Sequence, residues 1–427
     1  MTALPAPPGL RLFPDMRRRP AGLLRAVLLL VSGGVLAQAL PLLLGPWLGR
    51  LYSPDEFGHY AVFAAVAANL AVIACGRYEF ALPLERDDAA ARDLMALCLR
   101  LLLGSLVLSA GVAVALLLWG APAYWVGLPL AVGAAGAVQW LTLWVTRAQR
   151  FAALSRSRFV QYGGGALAQV AGGLAHLGTA GLVIGPVVAG AAALGWLRAP
   201  APLGGWQGLW RGAGSGWRAA AKKHREFPLL NTPHAFAGAL QDTLAVALVV
   251  AWTGEAAAGF WGFGLRYLKA PASLIGGAVS QALYPRLVNA SAEDARAAVR
   301  RVMVALALMA VPLVMVLVLF GPGLFAFAFG EPWREAGTLA RALAPYIGLH
   351  FIAAPLAVVT LAWRAQAWAL KLALVGQLMF LGALLAGLTM GGLEAGAWCV
   401  SASMLLYFGW YFWSLATWKK VPDVAAA

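Results

Sequence analysis

The stretch Phe57–Pro83, FGHYAVFAAVAANLAVIACGRYEFALP, decides the fold class. It is mostly apolar, and a continuous helix over it would be about 40 Å long, enough to cross a hydrocarbon core of about 30 Å. Near its end it carries two ionisable side chains, Arg77 and Glu79. Such groups inside a membrane span mark a functional site by default. We predict a membrane helix with a substrate-binding Arg77 and Glu79; the alternative is an interfacial anchor with a buried structural pair.

The composition extends this interpretation to the whole chain. Of 427 residues, 62% are hydrophobic and only 11% are charged, against about 25% charged residues in soluble domains. The chain is therefore predicted to be an all-α membrane protein. Its three cysteines, Cys75, Cys98 and Cys399, all fall in apolar segments and have neither disulfide-framework nor metal-ligand spacing. No metal site and no cofactor are predicted.

Twelve apolar segments predict about 12 transmembrane helices. They lie near 25–49, 57–83, 94–119, 122–146, 160–178, 179–197, 231–252, 258–284, 299–320, 336–361, 366–390 and 393–417. We expect a basic tail over 1–24, an N-lobe over 25–198, a C-lobe over 231–418 and a second tail over 419–427. The segment 199–230 mixes tryptophans with Arg and Lys, which predicts a linker lying on the membrane surface.

The distribution of basic residues predicts the orientation. If the N-terminus is cytoplasmic, most Lys and Arg outside the spans fall on that side, and only Arg50, Arg334 and Arg341 fall on the other. This asymmetry follows the positive-inside rule and places both termini in the cytoplasm. The net charge of +15 is then mostly a topology signal, so no nucleic-acid partner is predicted.

Three ionisable residues are predicted near the membrane midplane. Lys269 lies about 15 Å from the start of its span at Gly259, and Arg266 lies one turn above it on the same helix face. Asp242 reaches a similar depth in the preceding span, with which the Lys269 span forms a hairpin. Such groups cannot face lipid cheaply. They are expected to face a water-filled cavity, the alternative being a dry structural pair between Asp242 and Lys269.

The two sets of six segments resemble each other. When Gly58 is aligned with Gly259, Tyr60 falls opposite Trp261, and an acidic residue precedes each glycine by up to four positions. Six spans per half is an even number, so both halves enter the membrane from the same side. The repeat is therefore parallel, with a pseudo-two-fold axis along the membrane normal. This arrangement favours alternating access by rocking of the lobes.

Further polar residues in the spans give weaker predictions. Pro345 and Pro355 bracket His350, so that span is expected to bend, and His350 is a candidate for ion coupling or for a helix–helix hydrogen bond. Nucleotide-binding loops, nucleophile elbows and zinc-protease motifs are absent from the sequence. The chain is therefore predicted not to be an enzyme.

Several motifs, in order along both halves, resemble one family. They are LYSPDEFG at 51–58, GRYE at 76–79, FPL at 227–229, Arg266 with PASLIG at 271–276 and Gln281, and FGEPWREAG at 329–337. The chain resembles the Wzx-like oligosaccharide flippases of bacterial polysaccharide biosynthesis, within the multidrug/oligosaccharidyl-lipid/polysaccharide exporter superfamily. Asp242 and Lys269 fall outside these motifs.

The resemblance implies two six-helix lobes around a cationic cavity in the bacterial inner membrane. The implied cargo is a polyprenyl-diphosphate-linked oligosaccharide, moved from the cytoplasmic to the periplasmic leaflet for O-antigen of lipopolysaccharide, capsule or exopolysaccharide assembly. Implied partners are the lipid bilayer, a glycan polymerase and other biosynthesis proteins. The predicted substrate-binding residues are Arg25, Arg77, Glu79, Arg266, Lys269 and Gln281.

Two other functions remain open from the sequence. A cation-coupled multidrug exporter of the same superfamily would favour an acidic cavity, whereas the predicted buried groups have a positive balance. A membrane-embedded glycan polymerase or ligase would need a larger polar surface than the short predicted outer loops provide.

Overall fold

The structure is a computed structural model that describes residues 37–197, 216–288 and 290–418. The predicted substrate-binding Arg25, residues 25–36 of the first predicted span, both predicted tails, residue 198 of the predicted N-lobe and the 199–215 part of the predicted linker lie outside these ranges. The described residues are almost entirely helical and contain no strand. The α-helices are α1 Gly45–Leu51, α2 Pro54–Ile73, α3 Asp88–Leu118, α4 Leu128–Arg147, α5 Phe151–Arg158, α6 Gly165–Leu174, α7 Thr179–Leu194, α8 Gly216–Lys223, α9 Thr232–Thr253, α10 Glu255–Leu268, α11 Ala270–Val288, α12 Ala292–Phe329, α13 Arg334–Ala362 and α14 Gln366–Ala416.

Short helices of other types connect these elements. The 3₁₀ helices are Tyr78–Leu84, Ala123–Gly127 and Glu331–Trp333, and the π-helices are Phe159–Gly164 and Phe227–Asn231. Seven helices in the described ranges are long and apolar enough to cross a membrane. The predicted spans 160–178 and 258–284 are each built from shorter consecutive helices. Helix α14, one of the seven, contains the last two predicted spans. The twelve-helix count is compatible with this structure, and the chain is an all-α membrane protein.

The break inside α14 lies between the two spans predicted at 366–390 and 393–417. Gly391 and Gly392 have non-helical backbone angles, and Gly392 has a φ of 73°. That left-handed conformation suits glycine because it has no Cβ. The two halves of α14 therefore correspond to the spans predicted at 366–390 and 393–417, and they contact each other where the Ser403 hydroxyl donates to the Met379 carbonyl at 3.3 Å.

The prediction of one continuous helix over Phe57–Pro83 is wrong. Helix α2 ends at Ile73, and Gly76 and Arg77 follow with φ values of 58° and 61°. Glycine enters this left-handed region without steric cost, and Pro83 cannot donate a backbone hydrogen bond to an α-helix. The chain continues as the 3₁₀ helix Tyr78–Leu84. Helix α2 alone still measures about 30 Å, enough to span the hydrocarbon core.

The start of α2 is fixed by a capping box. The Ser53 hydroxyl accepts a hydrogen bond from the Glu56 backbone N–H, and the Glu56 carboxylate accepts one from the Ser53 backbone N–H at 2.7 Å. Pro54 occupies the first turn, where a missing N–H costs nothing. The cap sets where Gly58 lies relative to the second half of the chain.

The two halves meet where α2 packs against α10. A Cβ on Gly58 would overlap the Glu255 carbonyl, and a Cβ on Gly259 would overlap the Pro54 carbonyl. Each glycine thus faces the carbonyl four residues before the other glycine. This reciprocity is the contact pattern of a two-fold axis, and it relates the residues that the internal repeat aligns.

Further contacts join the halves at the same end of the bundle. The Trp333 indole N–H donates to the Gly49 carbonyl at 2.7 Å. The Arg50 guanidinium donates to the Ala328 and Phe327 carbonyls at 3.0 and 3.1 Å, at the C-terminus of α12. His59 forms an ion pair with Glu255. We call this end, with Arg50, Gly58, Gly259 and Trp333, the closed end.

The opposite end of the N-terminal half carries the basic residues that the topology prediction uses. There the Arg147 guanidinium donates to the Glu85 carbonyl at 2.9 Å and to the Asp88 carboxylate at 2.8 Å. In the second half, Arg300 donates to the Ala416 carbonyl at 2.6 Å. We call this end the basic end.

Candidate functional site

A cavity of about 700 Å³ lies between the two halves. It begins beside the closed end, where Tyr60 and Trp261, each two residues after its glycine, both line it. Its walls come from α2, α4, the π-helix at 159–164, α6 and α7 on one side, and from α9, α10 and α11 on the other. Many of the lining residues are alanines, which leave the space open. The cavity therefore belongs to neither half alone.

The charged residues of the described lining come from the second half. Among the described residues, the Asp, Glu, Lys, Arg and His side chains that line the cavity are Asp242, Arg266 and Lys269. Asp242 on α9 is exposed, and Arg266 and Lys269 are half-buried. Their formal sum is +1, from two cations and one carboxylate. The structure thus brings together the three residues that depth along the helices selected from the sequence.

Lys269 occupies the break between α10 and α11. It is the C-cap residue of α10, and its N–H donates to the Leu265 carbonyl at 3.0 Å. Lys269 interacts electrostatically with Asp242, with Tyr346 and with His350. Asp242 and Lys269 share the cavity, but the ion pairs within the described ranges do not include one between them.

The described residues of the first half contribute polar side chains without charge to the lining. These are Gln38, Tyr60, Gln161, Tyr162 and Gln169. Gln161 and Tyr162 belong to the π-helix Phe159–Gly164, and Tyr162 is 46% exposed. Gln169 is buried and donates to the Leu182 carbonyl at 2.9 Å. Sequence reasoning missed Gln161 and Tyr162; the signal that could have found them is the glycine triplet 163–165 that follows.

Arg77 and Glu79 lie outside this lining. Glu79 is buried in the first half, where it accepts a hydrogen bond from the Gln139 amide at 2.6 Å. The Arg77 guanidinium lies 4.3 Å from the centre of the Phe80 ring. The left-handed turn at Gly76 and Arg77 moves both side chains away from the line of α2. Glu79 therefore faces the neighbouring helix α4 of the first half.

Gln281 and His350 also lie away from the cavity between the halves. Gln281 is exposed on α11 and is not part of the lining. His350 on α13 lines a separate cavity of about 240 Å³ within the second half, together with Tyr407 and Tyr411. His350 interacts electrostatically with Lys269, so a charged residue of the large cavity acts on a residue that lines the smaller one.

At the basic end, the described part of the linker docks on the first half. The Lys223 ammonium lies 2.5 Å from the Glu85 carboxylate, and His224 lies 3.3 Å from it. The Tyr78 hydroxyl donates to the Ala221 carbonyl at 3.2 Å. The hydrogen bond from Lys223 lowers the pKa of Glu85 below its ordinary value. Helix α8 is thus held against the N-terminal bundle.

Within the described ranges, no three His, Cys, Asp or Glu side chains group as a metal site requires. The charged groups that share the large cavity are instead suited to an anion, because two of the three are cations. Arg and Lys are the side chains that bind phosphate oxygens, Arg through a planar fork and Lys as a point charge.

Comparison with known proteins gives one family and several solved structures of similar fold. A family model described as polysaccharide biosynthesis protein matches residues 47–338. No curated protein matches. The lipid II flippase MurJ in an inward closed conformation is similar over 91% of this chain and 88% of that chain, with 9% identity and a TM-score of 0.65.

Two multidrug transporter structures have the same fold. An inward-facing multidrug resistance MATE family transporter of the MOP superfamily is similar over 92% of this chain and 99% of that chain, with 12% identity and a TM-score of 0.59. The Vibrio cholerae MATE transporter VcmN in its bent form is similar over 93% of this chain and 96% of that chain, with 14% identity and a TM-score of 0.51. At these identities the likeness concerns the fold alone.

Proposed function

The chain belongs to the polysaccharide biosynthesis protein family, and from this premise we propose that it is a flippase for a polyprenyl-diphosphate-linked oligosaccharide. It moves its cargo from the cytoplasmic to the periplasmic leaflet of the bacterial inner membrane by alternating access. The glycan serves O-antigen, capsule or exopolysaccharide assembly, with a glycan polymerase as the downstream partner. No bond is made or broken, so the protein is a transporter and not an enzyme.

The observation that carries this proposal is the cavity between the halves with its positive wall. A diphosphate needs cationic partners where water is scarce, and Arg266 and Lys269 supply them on one wall. The lipid tail stays in the bilayer, so only the polar head must enter the space between the lobes. A cavity shared by two rocking halves can expose that head to either side in turn.

The charge asymmetry supports the orientation in this proposal. The basic end is cytoplasmic and the closed end is periplasmic, with both termini in the cytoplasm. The contacts at Gly58, Gly259, Trp333 and Arg50 then seal the periplasmic side. In this conformation the cavity receives cargo from the cytoplasmic leaflet. Outward opening has to separate these four contacts.

A cation-coupled multidrug exporter is the second candidate, because the fold is shared with such transporters. Its cargo would need acidic partners, and Asp242 is the only carboxylate in the described lining, against Arg266 and Lys269. A positive cavity repels a cationic drug. The charge of the lining therefore favours the anionic cargo.

The test is flipping of a defined lipid in proteoliposomes. The probe is a fluorescent polyprenyl-diphosphate-linked N-acetylglucosamine, and its exposure in the outer leaflet is read by chemical quenching. Arg266→Gln should slow flipping at least tenfold, because it removes the phosphate fork. Arg286→Gln is the matched control, since Arg286 is exposed near the end of α11 and does not line the cavity. Equal flipping rates for the two variants, or transport of a cationic dye that requires Asp242, would contradict the proposal.

A further inference from the structure

In the described cavity lining, the charged side chains and the neutral polar side chains come from different halves of the chain. Its described ionisable lining comes from α9 and α10 and the break that follows α10, all in the second half. Within residues 37–197, the first half lines the cavity with amides and phenols: Gln38, Tyr60, Gln161, Tyr162 and Gln169. An anion and a neutral polar group would therefore bind opposite walls. This separation is a property of the described lining as a whole and does not depend on any single residue.

Two of the neutral residues are presented by an unusual backbone. Gln161 and Tyr162 lie within the π-helix Phe159–Gly164, and both line the cavity. π-helical turns are rare and occur often at functional sites. The widened turn, followed by Gly163 against Leu40, directs a phenol and an amide into the same space.

The chemistry of this pair fits a sugar. A glutamine amide has two donors and an acceptor, which match the mixed donors and acceptors of sugar hydroxyl and acetamido groups. A tyrosine ring has a negatively polarised face that attracts the weakly positive C–H face of a pyranose, and its hydroxyl can bond in addition. Tyr162 is 46% exposed, so its ring is available to a ligand.

We infer that Gln161 and Tyr162 form a recognition subsite for the carrier-proximal sugars, while Arg266 and Lys269 on the facing lobe hold the diphosphate. This inference rests on the proposed function and adds the part of the cargo that each lobe holds. The subsite takes sugars with hydroxyl and acetamido groups. The cargo bridges the two lobes, so selection of the glycan and capture of the carrier are separate tasks of separate lobes.

The experiment compares two classes of probe on purified full-length protein in nanodiscs. One probe is bare polyprenyl diphosphate; the others are polyprenyl diphosphates carrying one hexose, one N-acetylhexosamine or one hexuronic acid. Wild type should bind at least one neutral glycosylated probe more tightly than the bare lipid. Gln161→Ala and Tyr162→Ala should weaken that probe at least fivefold and change the Kd of the bare lipid less than twofold. Tyr162→Phe should retain most of the affinity.

Two further variants keep failures of the two ideas apart. Phe159→Ala alters the same π-helix at an exposed residue outside the cavity lining, so it should change neither Kd. Arg266→Gln should weaken all probes, and its failure to weaken the bare lipid would overturn the phosphate site of the proposed function. The subsite is overturned if no neutral sugar improves on the bare lipid, or if Gln161→Ala and Tyr162→Ala affect both probe classes equally or neither.

Discussion

Gly58 and Gly259 lie face to face across the two halves, with backbone against backbone. A Cβ on Gly259 would lie 3.0 Å from the Gly58 nitrogen, and a Cβ on Gly58 would lie 3.3 Å from the Gly259 nitrogen. Small residues allow helices in membranes to approach in this way. Because each glycine also faces a carbonyl of the opposite helix, the contact leaves no room for any side chain. The close approach of α2 and α10 at the closed end therefore requires glycine at both position 58 and position 259.

Gly58→Ala or Gly259→Ala should open the closed end. The added methyl overlaps a carbonyl of the other half, and overpacking of this kind costs about 1–3 kcal/mol, or a shift of about 5–150-fold in a two-state equilibrium. Ala123 and Thr389 are both exposed near this end. Spin labels attached there in a cysteine-free background should show a larger population at a longer distance between the two labels. Gly277→Ala is the control, since nothing lies within 4 Å of a Cβ there. Unchanged distances in both glycine variants would mean that the contact does not hold the halves together.

The orientation can be tested by labelling intact cells. In a Cys399→Ala background, a cysteine at the exposed Gly391 should react with an impermeant thiol reagent added outside, after outer-membrane permeabilisation. A cysteine at Lys222, exposed on α8, should react only after the inner membrane is opened. The reverse labelling pattern would contradict the proposed orientation, with the basic end in the cytoplasm.

Docking of α8 should weaken as the pH falls. The hydrogen bond from Lys223 lowers the pKa of Glu85 in the folded protein. The pair therefore contributes fully above the ordinary glutamate pKa of about 4.3, and the contribution is lost as the pH falls through the lower folded value. The protection factors of the backbone amides in residues 216–223, which are corrected for the pH dependence of intrinsic exchange, should fall on acidification in this window. Glu85→Gln should show faster exchange already at pH 7 and a smaller further change with acid, whereas Asp55→Asn at the other end should behave like wild type.

The buried hydrogen bond between Gln139 and Glu79 should contribute measurably to stability. Gln139→Leu leaves the Glu79 carboxyl without this donor, and an unpaired buried polar group costs about 1–3 kcal/mol. We expect the melting temperature in detergent to fall by about 2–4 °C. The double change Glu79→Leu with Gln139→Leu should recover part of the loss, because both polar partners are then replaced. A double variant less stable than Gln139→Leu would indicate that Glu79 has a further role in the fold.

Helix type and count could be predicted from the sequence because they depend on local patterns. Apolar length selects membrane spans, and the glycine pair at 391 and 392 marks the break between the last two. The rise per residue is constant along a helix, so counting residues from the ends of the spans predicts similar membrane depths for Asp242, Arg266 and Lys269. These predictions needed no knowledge of how the helices pack.

Other features could not be predicted because they depend on backbone geometry between elements. The sequence does not reveal that Gly76 and Arg77 take left-handed angles, nor that the Arg77 guanidinium lies beside the Phe80 ring. The π-helix at Gln161 and Tyr162 arises from packing of a glycine-rich turn and carries little apolar pattern of its own. His59 and Glu255 come from different halves, so no spacing rule connects them.

The closed end has a consequence for how this protein can vary. Trp333 donates to the Gly49 carbonyl, Arg50 donates to the carbonyls of Phe327 and Ala328, and the glycine pair meets the carbonyls of Pro54 and Glu255. In each case one partner is a main-chain oxygen, which every amino acid supplies. Substitutions at Phe327 or Ala328 therefore leave these hydrogen bonds of the closed end in place. Substitutions at Arg50, Trp333 or the two glycines remove a contact. Correlated changes at these four contacts should therefore be rare, whereas the pair of side chains His59 and Glu255 is a place at this end where two substitutions can compensate each other.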